Sequence, residues 1–137
     1  MKTTFDTDAI LFSLLQDSPV KNAINGGIYV GDDRPDDSMD EDIVVNSIDL
    51  TQDYLPQIGT SNVNIYVADV NVKIKGKNQL QANRIRLKAL SEMTMCVLRG
   101  ANITGLKLIP MSQHTLEEPS IKQHYVNIRI DWNIQID

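Results

Sequence analysis

Residues 125–136 alternate apolar and polar side chains without an error over twelve positions. Val126, Ile128, Ile130, Trp132, Ile134 and Ile136 fall on one side of an extended chain, with Tyr125, Asn127, Arg129, Asp131, Asn133 and Gln135 on the other. A period of two is the mark of a strand with one buried face. Slipping the pairing by one residue would turn the whole apolar set toward water, so the register is strongly specified. Whatever else it contains, the chain must build a sheet with one covered face, and other elements must supply the cover.

Two helices are predicted to do so. Asp6 or Thr7 can cap a helix running to about Gln16, with Ile10, Leu11, Leu14 and Leu15 as its apolar stripe. The longer helix is predicted over residues 80–99 and is closed by Arg99 and then Gly100, the usual basic-then-glycine order. At about 100° per residue, Leu80, Leu87, Leu90, Met93, Val97 and Leu98 share a wide apolar sector, with Arg84, Lys88 and Glu92 opposite. Arg86 falls inside the apolar sector, so its head group must snorkel to water or find a partner.

Between the helices the punctuation is local. Ser18-Pro19 restarts a short helix that Asn25-Gly26-Gly27 ends, and a brief strand follows at 28–30. Residues 43–48 read as a strand, and 49–60, with Pro56 and Gly59, as a connection with room for a turn of helix. A further strand is predicted at 103–109, ended by Pro110, and a loop through Glu117-Glu118-Pro119 leads into the final strand. From Asn62 the apolar residues sit at odd positions (Val63, Ile65, Val67) and then at even ones (Val70, Val72, Ile74). One strand cannot change faces without an extra residue, so a bulge or a break is expected at Ala68-Asp69, sending residues 68–79 out as a projecting arm. The expected fold is α+β. One mixed, mostly antiparallel sheet carries an N-terminal helix and one long helix, in a single domain of 137 residues.

Composition narrows the function. No window approaches the roughly 18 apolar residues of a membrane span, so no membrane partner is expected. The start of the chain has no continuous apolar core of a signal peptide, which predicts a protein that stays in the cytoplasm where it is made. A net charge of −5 argues against a general phosphate-binding surface and against sequence-specific nucleic-acid recognition. Cys96 is the only cysteine, which excludes an internal disulfide and a multi-thiolate zinc site, and it is expected to pack as a small hydrophobe.

No motif calls for catalysis. His114 and His124 flank Glu117 and Glu118 without a helical pairing and read as a loop histidine and a strand-edge histidine. Gly26-Gly27 and Gly31 lack the lysine and the spacing of phosphate-binding loops and read as turn residues. No catalytic, cofactor-binding or metal-binding residue is therefore assigned, and no cofactor. Residues 31–42 form an acidic loop carrying Asp32, Asp33, Asp36, Asp37, Asp40, Glu41 and Asp42 around the single Arg34. Its spacing lacks the sixth-position glycine and twelfth-position glutamate of an EF-hand loop, so it reads as an exposed, solvated acidic loop or a charged interface. From Val70 to Ser91 the chain holds Lys73, Lys75, Lys77, Arg84, Arg86 and Lys88 and no anion. The stretch reads either as a solvated arm and helix face or as a partner for the acidic loop of a neighbouring copy, since two patches of opposite sign suit head-to-tail association and ring closure. Exposed ion pairs would set register, and Val70, Val72 and Ile74 would supply most of the affinity.

Taken in order, these elements resemble the tail terminator, or tail completion, proteins of tailed bacteriophages and prophages, including minor tail proteins of similar size. The resemblance rests on the helix over 9–16 followed by Pro19-Val20, on Gly31-Asp32-Asp33-Arg34-Pro35, and on the strand into 70–77. It continues through Asn83-Arg84-Ile85-Arg86-Leu87-Lys88-Ala89-Leu90 and Tyr125-Val126-Asn127-Ile128-Arg129-Ile130-Asp131-Trp132. It implies a subunit that assembles into a hexameric ring, caps the tail tube, stops tube polymerisation and forms the surface that joins the head. The implied partners are other copies of the chain, a tail tube protein and a head completion protein. DNA would only pass through the lumen, helped by repulsion from an acidic loop facing the channel. Such a protein catalyses no reaction, is assembled in the bacterial cytoplasm and resides in the virion tail. Two alternatives stand beside it: a head–tail connector or head completion protein of related fold, and a small cytoplasmic module that binds a charged protein partner without forming a ring.

Overall fold

The structure, a computed structural model, describes residues 1–136. Three α-helices and seven strands follow one another as α1 (Thr4–Gln16), α2 (Pro19–Ala23), β1 (Ile28–Val30), β2 (Ile43–Leu50), β3 (Gln57–Ala68), β4 (Val70–Ile74), β5 (Lys77–Gln81), α3 (Arg84–Arg99), β6 (Leu106–Glu118) and β7 (Gln123–Ile134). Five strands form one sheet in the order β1-β2-β3-β7-β6, and β4 with β5 forms a separate hairpin. β1 runs parallel to β2 and every other neighbouring pair in the sheet is antiparallel. This is the expected α+β architecture.

The alternating strand lies near the centre of the sheet, paired along its length with β3 and β6. Val126, Ile128, Ile130, Trp132 and Ile134 are buried beneath the helices, together with Val63, Ile65 and Val67 of β3. Ile136 lies beyond the last paired residue and is half exposed, so it departs from the expected apolar set. α1 covers β1 and β2, α3 crosses β3, β7 and β6, and α2 touches both helices. Leu11 and Leu15 of α1 and Leu87, Leu90 and Leu98 of α3 fill the space between.

The first helix starts three to four residues earlier than expected. Thr3 is its N-cap, and the Asp6 carboxylate accepts a hydrogen bond from the Thr3 backbone N–H at 2.7 Å. That bond, joined by one from the Thr3 hydroxyl, holds the Asp6 pKa below the ordinary value. A line of hydroxyls then ties the helix to the sheet. Trp132 Nε1 donates to Ser61 Oγ at 2.8 Å, Ser61 lies 2.7 Å from Ser47, and Ser47 lies 2.6 Å from Thr7. Thr7 closes the line by donating to the Thr4 carbonyl at 2.9 Å. With every hydrogen pointing the same way, each member has a partner, which is how an indole N–H is accommodated in an apolar core.

The parity change after β3 is a break rather than a bulge. β3 ends at Ala68, Asp69 turns the chain, and β4 leaves the sheet. Lys75 and Gly76 close the hairpin with φ of 50° and 79°, the left-handed pair that a tight two-residue turn requires. The hairpin takes Leu80 and Gln81 from the predicted 80–99 helix, which begins at Arg84 behind its N-cap Asn83. Leu80 is consequently half exposed and outside the apolar sector of α3. Here pairing with β4 outweighs the helical periodicity.

Four further expectations fail, the first three for reasons of the sheet. β2 extends to Leu50 and β3 begins at Gln57, so the connection is six residues without helix. Pro110 does not end a strand: β6 runs from Leu106 to Glu118, and the register shifts between Pro110 and Ser112. Proline is tolerated there because β6 is an edge strand and the shift absorbs the missing N–H. His114 therefore sits on β6 opposite Asn127, not in a loop. Cys96 is exposed on α3 and does not pack as a core residue.

Candidate functional site

Two segments stand apart from the core: the acidic residues 31–42 and the hairpin β4–β5. Because β1 and β2 are parallel neighbours, the chain must travel back between them, and the twelve residues 31–42 are that crossover. It is no loose loop. Asp42 is fully buried, with one carboxylate oxygen accepting from Arg34 Nε at 2.8 Å and from Ser38 Oγ at 2.6 Å, and the other from the Gly27 N–H at 2.9 Å. The Arg34 guanidinium also donates to Gln123 Oε1 at 2.8 Å and lies 4.0 Å above the Tyr66 ring, which stacks on Tyr125. Burial, reinforced by the neighbouring Tyr125, pushes the Tyr66 phenol above its ordinary pKa. The crossover is thus pinned onto the face of the sheet that the helices leave open. Gly26 permits the approach, since a Cβ there would stand 2.0 Å from an Asp42 oxygen.

Glu41, next to Asp42, takes the partner that Arg86 requires. Arg86 Nε and Nη2 reach the two Glu41 oxygens at 2.6 and 2.9 Å, and Nη2 also donates to the Ala23 carbonyl. The hydrogen bonds to Glu41 raise the Arg86 pKa. Both residues therefore belong to an ion pair inside one subunit, joining the crossover, α2 and α3. Arg86, Glu41 and Asp42, expected at an interface, are thus engaged by partners within their own subunit. Asp32, Asp33, Asp36, Asp37 and Asp40 remain exposed, with Met39 exposed among them.

The basic stretch divides in two. Lys73, Lys75 and Lys77 are exposed along the hairpin, where Val70 is exposed and Val72 and Ile74 are half-buried. The root of the hairpin is fixed, for Asp69 N–H donates to the Lys122 carbonyl at 3.0 Å and its carboxylate lies 2.6 Å from His124 Nδ1. Beyond the root the hairpin has few contacts outside itself. Arg84 and Lys88 lie on α3, where Lys88 approaches Glu92 at 3.6 Å. With Arg99 they border a groove of about 1010 Å³ between α3 and the edge strand β6, floored by Leu87, Met95 and Val126.

Sequence reasoning missed the groove, the Arg34–Asp42 pair and the His124–Asp69 pair. A lone arginine among seven carboxylates was the available signal for the first ion pair. The other two features depend on segments distant in sequence. Among the described residues, no helix is long and apolar enough to cross a membrane, and no three His, Cys, Asp or Glu side chains converge to hold a metal. No protein-family model matches the chain, and no curated protein matches it.

Proposed function

We propose that this protein is a self-assembling structural subunit that works as a ring in the tail of a bacteriophage, capping the tail tube and offering the surface that joins the head. The observation that carries the self-assembly is the hairpin. A two-stranded ribbon is marginal at best alone in water, yet β4–β5 leaves the sheet with Val70, Val72 and Ile74 along one strand and lysines beside them. Burying what remains exposed of those three side chains against a neighbouring copy supplies less than the roughly 1.5 kcal/mol apiece of a full transfer, since Val70 is 37% exposed and Val72 and Ile74 are half-buried, with the lysines setting register. The tail-terminator role rests on the resemblance in element order, and its action is steric and interfacial, with no reaction assigned. The partners are further copies, a tail tube protein and a head completion protein, and the place of action is the virion tail.

The test is solution mass by light scattering on a sizing column, over a range of concentrations and salt. The expected result is a species climbing toward six times the 15.4 kDa subunit mass. Replacing Lys73, Lys75 and Lys77 with glutamate should weaken the assembly while leaving the subunit folded. A strict monomer at every concentration, with or without added tail tube protein, would overturn the proposal.

A further inference from the structure

The groove between α3 and β6 has a charge layout that the hairpin cannot satisfy. Arg84, Lys88 and Arg99 border it against the single anion Glu92, so a lysine-rich hairpin entering it would meet its own sign. The floor is apolar, and Ile85, which is 87% exposed, stands at its lip. The complementary surface is on the same chain but faces elsewhere. The crossover rests on Tyr66 and Gln123 of the open sheet face, whereas the groove lies on the face that carries α3. Asp32 and Asp36 lie with Val44 and Tyr66 on that open face, so these aspartates are turned away from the groove of their own subunit even though Glu41, at the crossover's base, meets Arg86 of α3.

We propose that the groove receives the acidic crossover of a neighbouring copy, with Met39 on the apolar floor and Asp32, Asp33, Asp36 and Asp37 against the basic border. The proposal rests on the self-assembly reading and names the two surfaces that meet. The crossover is suited to the role because its base is already immobilised by the Asp42–Arg34 and Glu41–Arg86 pairs, which lowers the ordering cost on docking. Five carboxylates and a methionine remain free to engage. The contact joins unlike surfaces, so it is head-to-tail and closes into a ring when the rotation between copies allows.

Two full-length variants test it. One carries Asp32→Lys, Asp33→Lys, Asp36→Lys and Asp37→Lys, and the other Arg84→Glu and Lys88→Glu. Retained folding is checked first by the fluorescence of buried Trp132. Each variant alone should associate about tenfold or more weakly than the parent, because like charges then face each other. Their equimolar mixture should recover association, since each crossover now meets a groove of opposite sign, and a ring of even number accommodates alternating copies. Cys96 borders the groove and is exposed, so its reaction with a thiol reagent should slow in the mixture and not in either variant alone. A parent protein that associates while the mixture behaves as the separate variants do would overturn the groove contact alone. A parent that never associates would overturn the self-assembly reading together with it.

Discussion

Replacing Asp42 with alanine should be among the most damaging changes to a charged residue in this protein, although six other carboxylates share its loop. The Asp42 side chain is 0% exposed and that of Arg34 only 10%. Alanine removes the acceptor of three hydrogen bonds, from Arg34, Ser38 and the Gly27 backbone. It also leaves a guanidinium stranded over Tyr66 with no carboxylate beside it. Breaking a buried pair from one side costs about 3–5 kcal/mol, a large part of the roughly 5–15 kcal/mol that holds a domain of this kind folded. Urea unfolding followed by fluorescence suits the measurement, because Trp132 is the only tryptophan and is buried. With a slope of about 2 kcal/mol per molar urea, the midpoint should fall by roughly 1.5–2.5 M. The exposed Asp33→Ala should change stability by no more than about 0.5 kcal/mol, a midpoint shift of about 0.25 M. Adding Arg34→Met to Asp42→Ala removes the stranded charge and should restore at least ~2 kcal/mol relative to the sum of the single changes. A loss under about 1 kcal/mol for Asp42→Ala, or additive single changes, would refute the claim that this pair pins the crossover.

Two further outcomes follow from the same geometry. Trp132→Ala should cost about 3–5 kcal/mol, read by circular dichroism in urea, because it empties a core position and removes the donor to Ser61; a loss below about 1 kcal/mol would mean that the hydroxyl line and its buried face are misassigned. Tyr66 has a folded pKa raised by burial above the ordinary phenol value of 10.0. Its contribution to stability is therefore complete below that value and is lost as pH rises through the raised folded pKa, since the unfolded chain releases the proton first. Alkaline unfolding of Tyr66→Phe should lack this component, and an identical pH profile for the two proteins would contradict the burial of the phenol.

The fold is most legible in those parts of the chain where one physical effect dominates. In 125–136, alternation alone decides which side chains face the helices, and the structure buries Val126 through Ile134 as that pattern requires. The flip of parity at Ala68-Asp69 was equally legible, because a strand has no way to change faces unaided. Arg86 was marked as a charge needing a partner by its place on the helix, although nothing local could name Glu41. Where two local tendencies competed, the outcome was decided elsewhere. Leu80 fits the helical period of α3, but pairing across the Lys75-Gly76 turn draws it into β5. Pro110 reads as a stop, but an edge strand with a shifted register carries it.

The candidate interface divides in the same way. The two charged segments and the apolar residues of the arm were visible as composition, because charge and hydropathy are properties of single residues. Which charges remain available was not visible, because that depends on pairing over long separations: Arg34 with Gln123, Arg86 with Glu41, His124 with Asp69. By itself the sequence determined a half-covered sheet, two covering helices, an arm and an acidic connection. Only the tertiary structure decided that β1 and β2 run parallel, so that the acidic connection becomes a crossover pinned by a buried ion pair. It alone set α3 beside the edge strand to leave a basic-bordered groove, since the approach of two distant segments is governed by the packing of the whole core and not by either segment's own pattern.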